Sequence, residues 1–140
     1  MHLALDSSVL AKCYVQEKGT DTVKDLCRRA RARSLSPLVV TEVLSVLNRL
    51  RREGRMGDWE YRQIKSQFLK DCAAASWISL GPQVLDRSIR CLELGAIRTL
   101  DAIQIASAYQ SGGDAFVTAD RRQARLAVIA GLEVIDFSRL

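Results

Sequence analysis

Ala115-Phe116-Val117-Thr118-Ala119-Asp120 is a short apolar run closed by an acid, and Arg121 opens a helical pattern directly behind it. The run predicts a strand over 115–118, a helix over 121–130 and a further strand at Glu133-Val134-Ile135-Asp136. Working outward from there, Leu3-Ala4-Leu5, Ser34-Leu35-Ser36 and Trp77-Ile78-Ser79-Leu80 read as three more short strands. Helical patterns fill the spaces at 8–16, 20–33, 38–52, 58–75, 83–94 and 99–110. Gly54, Gly57, Gly95, Gly112, Gly113 and Gly131 punctuate their ends, and Pro37 and Pro82 stand where a helix begins after an extended segment. Strands separated by helices need crossover connections, so neighbouring strands run parallel and the expected class is an α/β sandwich with a mainly parallel sheet.

Composition narrows the function. With 48% hydrophobic residues, the 140-residue chain can bury a core as one domain, 1–140. Lys and Arg number 21 against 16 Asp and Glu, a net charge of +5, which favours a polyanionic partner such as nucleic acid. No apolar run approaches the ~18 residues of a spanning helix, and the start has neither a basic leader nor a cleavage site, so a cytoplasmic protein away from membranes is expected. Cys13, Cys27, Cys72 and Cys91 are scattered, and His2 is the lone imidazole, which argues for reduced, buried thiols rather than zinc. Neither a P-loop nor a dinucleotide fingerprint is present, which disfavours a nucleotide-powered enzyme.

The acids carry the chemistry. Asp6 follows the first strand and Asp120 the fourth, so parallel strands deliver both to one sheet edge, where ligands bind in such folds. Taken singly, each also reads as an ordinary helix cap. Asp101 heads a helix whose Ala102, Ile103, Ile105, Ala106, Ala108 and Tyr109 cover most directions, and Thr99 is a candidate cap there. A carboxylate at such a buried helix head needs a partner, a metal or water. Glu42 borders the apolar stripe of Val39, Val43, Val46, Leu47 and Leu50, and by itself reads as a surface acid related to Arg49. Four acids within a few ångströms would repel by about 4 kcal/mol per pair at 4 Å and a dielectric of 20, which calls for a cation. All-oxygen ligation selects Mg²⁺ or Mn²⁺, ions suited to phosphodiester hydrolysis.

The stretches Leu5-Asp6-Ser7-Ser8-Val9-Leu10, Thr41-Glu42-Val43-Leu44-Ser45, Leu100-Asp101-Ala102-Ile103-Gln104-Ile105-Ala106 and Phe116-Val117-Thr118-Ala119-Asp120, in this order, resemble the PIN-domain family. The resemblance is to its VapC-like toxin ribonucleases of type II toxin–antitoxin systems, and it spans almost the whole chain. It implies a three-layer α/β/α sandwich with about five strands. Asp6, Glu42, Asp101 and Asp120 would then form an acidic quartet that binds Mg²⁺ or Mn²⁺ directly or through water, with Ser8 and Thr118 supporting it by hydrogen bonds. A metal-activated water would hydrolyse RNA to 5′-phosphate and 3′-hydroxyl ends. One departure is that Arg121-Arg122-Gln123 stands where some relatives carry a further acid, which leaves the number of metal ions open.

The resemblance also implies a homodimer and a cognate antitoxin that inserts near the acids. Val9, Leu10, Cys13, Tyr14, Trp59, Tyr61, Ile64, Phe68 and Leu69 supply apolar material either for such a groove or for the core. Three basic groups are candidates for phosphate contact: Arg28, Arg29, Arg31 and Arg33; Arg49, Arg51, Arg52 and Arg55; and Arg121, Arg122 and Arg125. Two rivals remain. One is a catalytically silent PIN-like module that binds nucleic acid or a partner. The other is a phosphohydrolase with an aspartyl nucleophile, against which Asp6-Ser7-Ser8 lacks a second Asp two residues on.

Overall fold

The computed structural model describes residues 1–139; Leu140, the last residue of the expected domain, lies outside them. The strands are β1 (His2–Leu5), β2 (Ala32–Leu35), β3 (Ser76–Trp77), β4 (Ala115–Thr118) and β5 (Val134–Asp136). The helices are α1 (Ser7–Lys12), α2 (Thr20–Arg29), α3 (Pro37–Arg52), α4 (Asp58–Ala73), α5 (Pro82–Leu94), α6 (Thr99–Ser111) and α7 (Arg121–Ile129). Among the described residues, five strands form one sheet in the order β3-β2-β1-β4-β5, with every neighbouring pair parallel. The α/β class and the parallel sheet are as the sequence predicts.

Strand alternation divides the core between the two faces of the sheet. Leu3, Leu5, Leu35, Ala115 and Val117 point into one cluster with Val9, Val23, Val43, Leu47 and Phe68, so α1 to α4 cover that face. Ala4 and Phe116 point the other way, onto Cys91, Ala102, Ile105, Ala108, Leu126 and Ala127 of α5 to α7. This makes three layers. Pro37 and Pro82 each take the first turn of a helix, and Gly112 closes α6 at φ +67°, a conformation that favours glycine. No helix among the described residues is long and apolar enough to cross a membrane.

Several boundaries differ from the sequence reading. The first helix stops at Lys12 instead of running to 16, because the Thr20 hydroxyl accepts from the Glu17 amide and donates to the Val15 carbonyl, folding the segment into turns. The second stops at Arg29, and Ala32 and Arg33 join β2 by pairing with His2 and Leu3; strand pairing there overrides the helix propensity of an Arg-rich run. Ser36 belongs to neither strand nor helix interior and caps α3 through the Leu38 amide. The third strand is Ser76–Trp77 and ends before Ile78, which still donates its amide to the Leu35 carbonyl. Of the apolar residues proposed for a groove, Val9, Tyr61 and Phe68 are core, while Trp59 and Leu69 are exposed.

Candidate functional site

From β1 the chain moves to β2 and β3 on one side, and from β4 to β5 on the other, so the β1–β4 junction is the point where the winding reverses. Ligand clefts in parallel sheets open at the carboxyl ends of strands at such a point. Asp6 and Asp120 emerge there, and the Asp6 amide donates to the Val117 carbonyl at 3.1 Å. Both acids do cap helices: Asp6 accepts from the Val9 amide at 3.1 Å and Asp120 from the Gln123 amide at 3.0 Å. Capping accounts for one oxygen of each.

The remaining partners differ. Asp6 has no exposed surface, and its carboxylate also accepts from the Ser8 and Thr118 hydroxyls. Burial pushes this carboxyl up to about 6, with those hydroxyls and the Val9 and Ser8 amides opposing. The same hydroxyls accept backbone amides in return, Ser8 from Ala119 at 2.9 Å and Thr118 from Asp120 at 3.0 Å, which locks the ends of β1 and β4 together. Asp120 is half-buried, and its Oδ2 has no hydrogen-bond partner among the described residues.

Asp101 sits in the first turn of α6 with 8% of its surface exposed. Its Oδ2 accepts from Arg98 Nε at 3.0 Å, and its backbone carbonyl accepts from the Gln123 side chain at 3.4 Å. Thr99 does not cap α6; Arg98 holds the N-cap position and makes no side-chain cap bond. Tyr109, expected in the buried wheel of α6, is 40% exposed and lies under the Arg87 guanidinium. Glu42 is half-buried on α3, where Oε2 accepts from the Ser7 hydroxyl at 3.0 Å and Oε1 from the Gln104 amide. Its alternative relation to Arg49 does not form: Arg49 faces Glu53 at 3.9 Å.

Asp101 and Asp120 open into one cleft of about 700 Å³, together with Arg98, Arg121, Arg122, Ala119 and Ser138. Asp6 and Glu42 lie outside this lining, and Asp6 connects to it through the Thr118 hydroxyl and the Asp120 amide. Among the described residues no three His, Cys, Asp or Glu side chains converge closely enough to hold a metal ion together. Ser7 and Gln104 donate to Glu42, Ser8 and Thr118 to Asp6, and Arg98 to Asp101. Donors of this kind stabilise the carboxylates they bond. The donor set is oxygen only, and Asp101 and Asp120 each keep a carboxylate oxygen without a hydrogen bond among the described residues. That fits a Mg²⁺-sized ion, which is commonly held by one or two carboxylates and retains several waters.

Ser7, Gln104, Gln123 and Arg98 were not singled out by the sequence. The available signals were a buried-period Gln inside an apolar helix and a cation three residues before Asp101.

An all-parallel α/β fold with carboxylates at its winding reversal defines a class of proteins with acidic clefts on a sheet edge. The PIN domain family model matches residues 3–129, and the chain belongs to that family. Among solved structures, it is similar to PAE2754 from Pyrobaculum aerophilum at TM-score 0.69 and 17% identity, covering 99% of this chain and 85% of that one. It is similar to VapBC2 from Rickettsia felis, solved bound to a promoter DNA fragment, at TM-score 0.68 and 11% identity, covering 97% and 98%. It also resembles Mycobacterium tuberculosis VapC20, a sarcin-ricin loop cleaving toxin, at TM-score 0.62 and 15% identity, covering 93% and 95%. No curated protein matches the chain.

Proposed function

We propose that this chain is a Mg²⁺- or Mn²⁺-dependent endoribonuclease and the toxin of a toxin–antitoxin pair. The observation that carries the reading is the pair Asp101 and Asp120, each with an unbonded oxygen, in a cleft rimmed by Arg98, Arg121 and Arg122. Carboxylates inside and guanidiniums at the rim suit a phosphodiester with an intervening cation. When bound, the divalent ion supplies a water of lowered pKa and charge stabilisation at the phosphate. Asp101 and Asp120 would hold it, with Asp6 and Glu42 acting directly or through water. Ser8 and Thr118 fix the Asp6 carboxylate, while Ser7 and Gln104 fix Glu42. Arg121 and Arg122 have a better claim on phosphate than the other basic groups, since Arg28, Arg29, Arg49, Arg51 and Arg55 all pair with nearby acids.

Two further assignments follow from the same reading. A cavity of about 500 Å³ lined by Leu10, Cys13, Tyr14 and Cys27, with Lys24, Arg28 and Arg33 around it, suits an apolar antitoxin segment bearing acids. Leu85, Ile89 and Leu92 form an exposed stripe at helical spacing on α5, which supports a homodimer.

Incubation with defined RNAs in Mg²⁺, Mn²⁺ or EDTA, beside Asp101→Asn, tests the reading. Cleavage leaving 5′-phosphate ends is expected only with metal and Asp101. Ends carrying 2′,3′-cyclic phosphate would refute it. Absence of both cutting and metal binding would instead favour the silent binding module.

A further inference from the structure

The N-cap of α6 is an unexpected place for a cation. An N-cap side chain ordinarily accepts from the helix amides, and the positive end of the helix dipole disfavours a positive charge. Arg98 does neither job for the helix: it makes no cap bond, and its side chain is 80% exposed. What it does is donate Nε to Oδ2 of the buried Asp101 at 3.0 Å. The terminal nitrogens of its guanidinium have no hydrogen-bond partner among the described residues. It faces the same cleft as Asp120, Arg121 and Arg122.

The neighbouring acids reinforce this position. The Nε contact of Arg98 holds it against one site acid, and it lines the cleft beside a second, Asp120. Arg28 and Arg29, by contrast, pair with Asp25 on their own helix surface, and Arg90 pairs with Asp86 in the same way. Arg98 thus pairs with one of the acids assigned to the metal and shares the cleft with another.

We propose that Arg98 is the resident counter-ion of the cleft, neutralising Asp101 before a divalent ion arrives and then turning its guanidinium to a phosphate of the RNA. The inference rests on the nuclease reading above. An ion pair with so exposed a cation is weak, so a divalent ion displaces it readily. The freed side chain carries a planar fork that matches phosphate oxygens, and its long stem lets the head move while the backbone stays in the helix cap. No bond is made or broken in this exchange; one charge partner replaces another.

The test compares the wild type with Arg98→Gln and Arg98→Lys, all checked for equal melting temperature. Mn²⁺ binding without RNA is measured by calorimetry. Binding of a labelled single-stranded RNA is measured at several salt concentrations in Ca²⁺, chosen to limit turnover. Arg98→Gln is expected to bind Mn²⁺ about two- to fivefold more tightly, because nothing competes for Asp101. The same variant is expected to lose about 0.7 from the slope of log affinity against log salt, the share of one phosphate contact on a single strand. Arg98→Lys should restore both toward wild type. Unchanged or weaker Mn²⁺ binding by Arg98→Gln, with the wild type binding normally, overturns the proposal and leaves the nuclease reading standing. An unchanged salt slope overturns the transfer to phosphate. Absence of Mn²⁺ binding in every form overturns both.

Discussion

Asp6→Asn keeps the shape of a fully buried side chain and removes its charge, and at neutral pH without metal it is expected to stabilise the fold. Burial lifts the Asp6 carboxyl from an ordinary 3.8 to about 6. At about 1.4 kcal/mol per pH unit, that gap makes the ionised carboxylate about 3 kcal/mol less favourable in the fold than in the unfolded chain. The sign follows from a raised acid: the fold prefers the neutral form. Below pH 3.8 both states are protonated and nothing is lost; stability then falls as pH rises through 4 to 6, and the loss is complete above about 6. Urea unfolding in EDTA should show the variant more stable by about 2–3 kcal/mol at pH 8 and by about 1 kcal/mol at pH 4.5. The lower end allows for the Thr118 hydroxyl, which must turn from donating to Asp6 to accepting from the new amide. Saturating Mg²⁺ should stabilise the wild type more than the variant. A variant no more stable than wild type at pH 8 in EDTA would refute the reasoning, since the charge would then already be compensated within the fold.

Gln104→Leu removes one of the two donors that fix Glu42, the Ser7 hydroxyl being the other, and calorimetry should show Mn²⁺ affinity falling by about tenfold or more. Its melting temperature should hold or rise, because Gln104 Oε1 is buried without a partner and Leu has nothing to satisfy. Phe68→Ala empties a fully buried position that meets Tyr14 edge-on at 5.1 Å between ring centroids, and guanidinium unfolding should register a loss of about 3–5 kcal/mol. Ile89→Glu places a charge in the middle of the exposed α5 stripe; if the proposed homodimer forms through it, sedimentation velocity should show wild-type dimer and variant monomer with the fold kept.

Period and punctuation made much of the fold legible. Phe116 and Val117 between polar boundaries mark β4, and Pro37 and Pro82 mark helix starts, because these signals are local. What the sequence concealed depends on partners far along the chain. Ala32 and Arg33 read as helix until β1 is present to pair with them, and Ser36 reads as strand until α3 needs a cap. At the candidate site, the delivery of Asp6 and Asp120 to one edge follows from parallel strands alone. The spacing of the acids does not, since it is set by Gln104 reaching Glu42 from another helix and by Arg98 occupying Asp101. Periodicity places a residue on a face; it does not say which hydroxyl or amide stands opposite.

The pairing of β1 with β4 bears on when the protein first becomes dangerous to the cell that makes it, if it cuts RNA as proposed. Leu3 pairs with Ala115, and the Thr118 hydroxyl that grips Asp6 lies 112 residues further along the chain. A contact between such distant segments forms only after nearly everything between them has left the ribosome, and closing so long a loop delays it further. A truncated or stalled chain carries Asp6 and Glu42 without β4, Asp120 or the cleft that Asp120 shares with Asp101. Assembly of the acidic edge is therefore tied to completion of synthesis, leaving an unfinished product inert and giving a neighbouring partner time to be made.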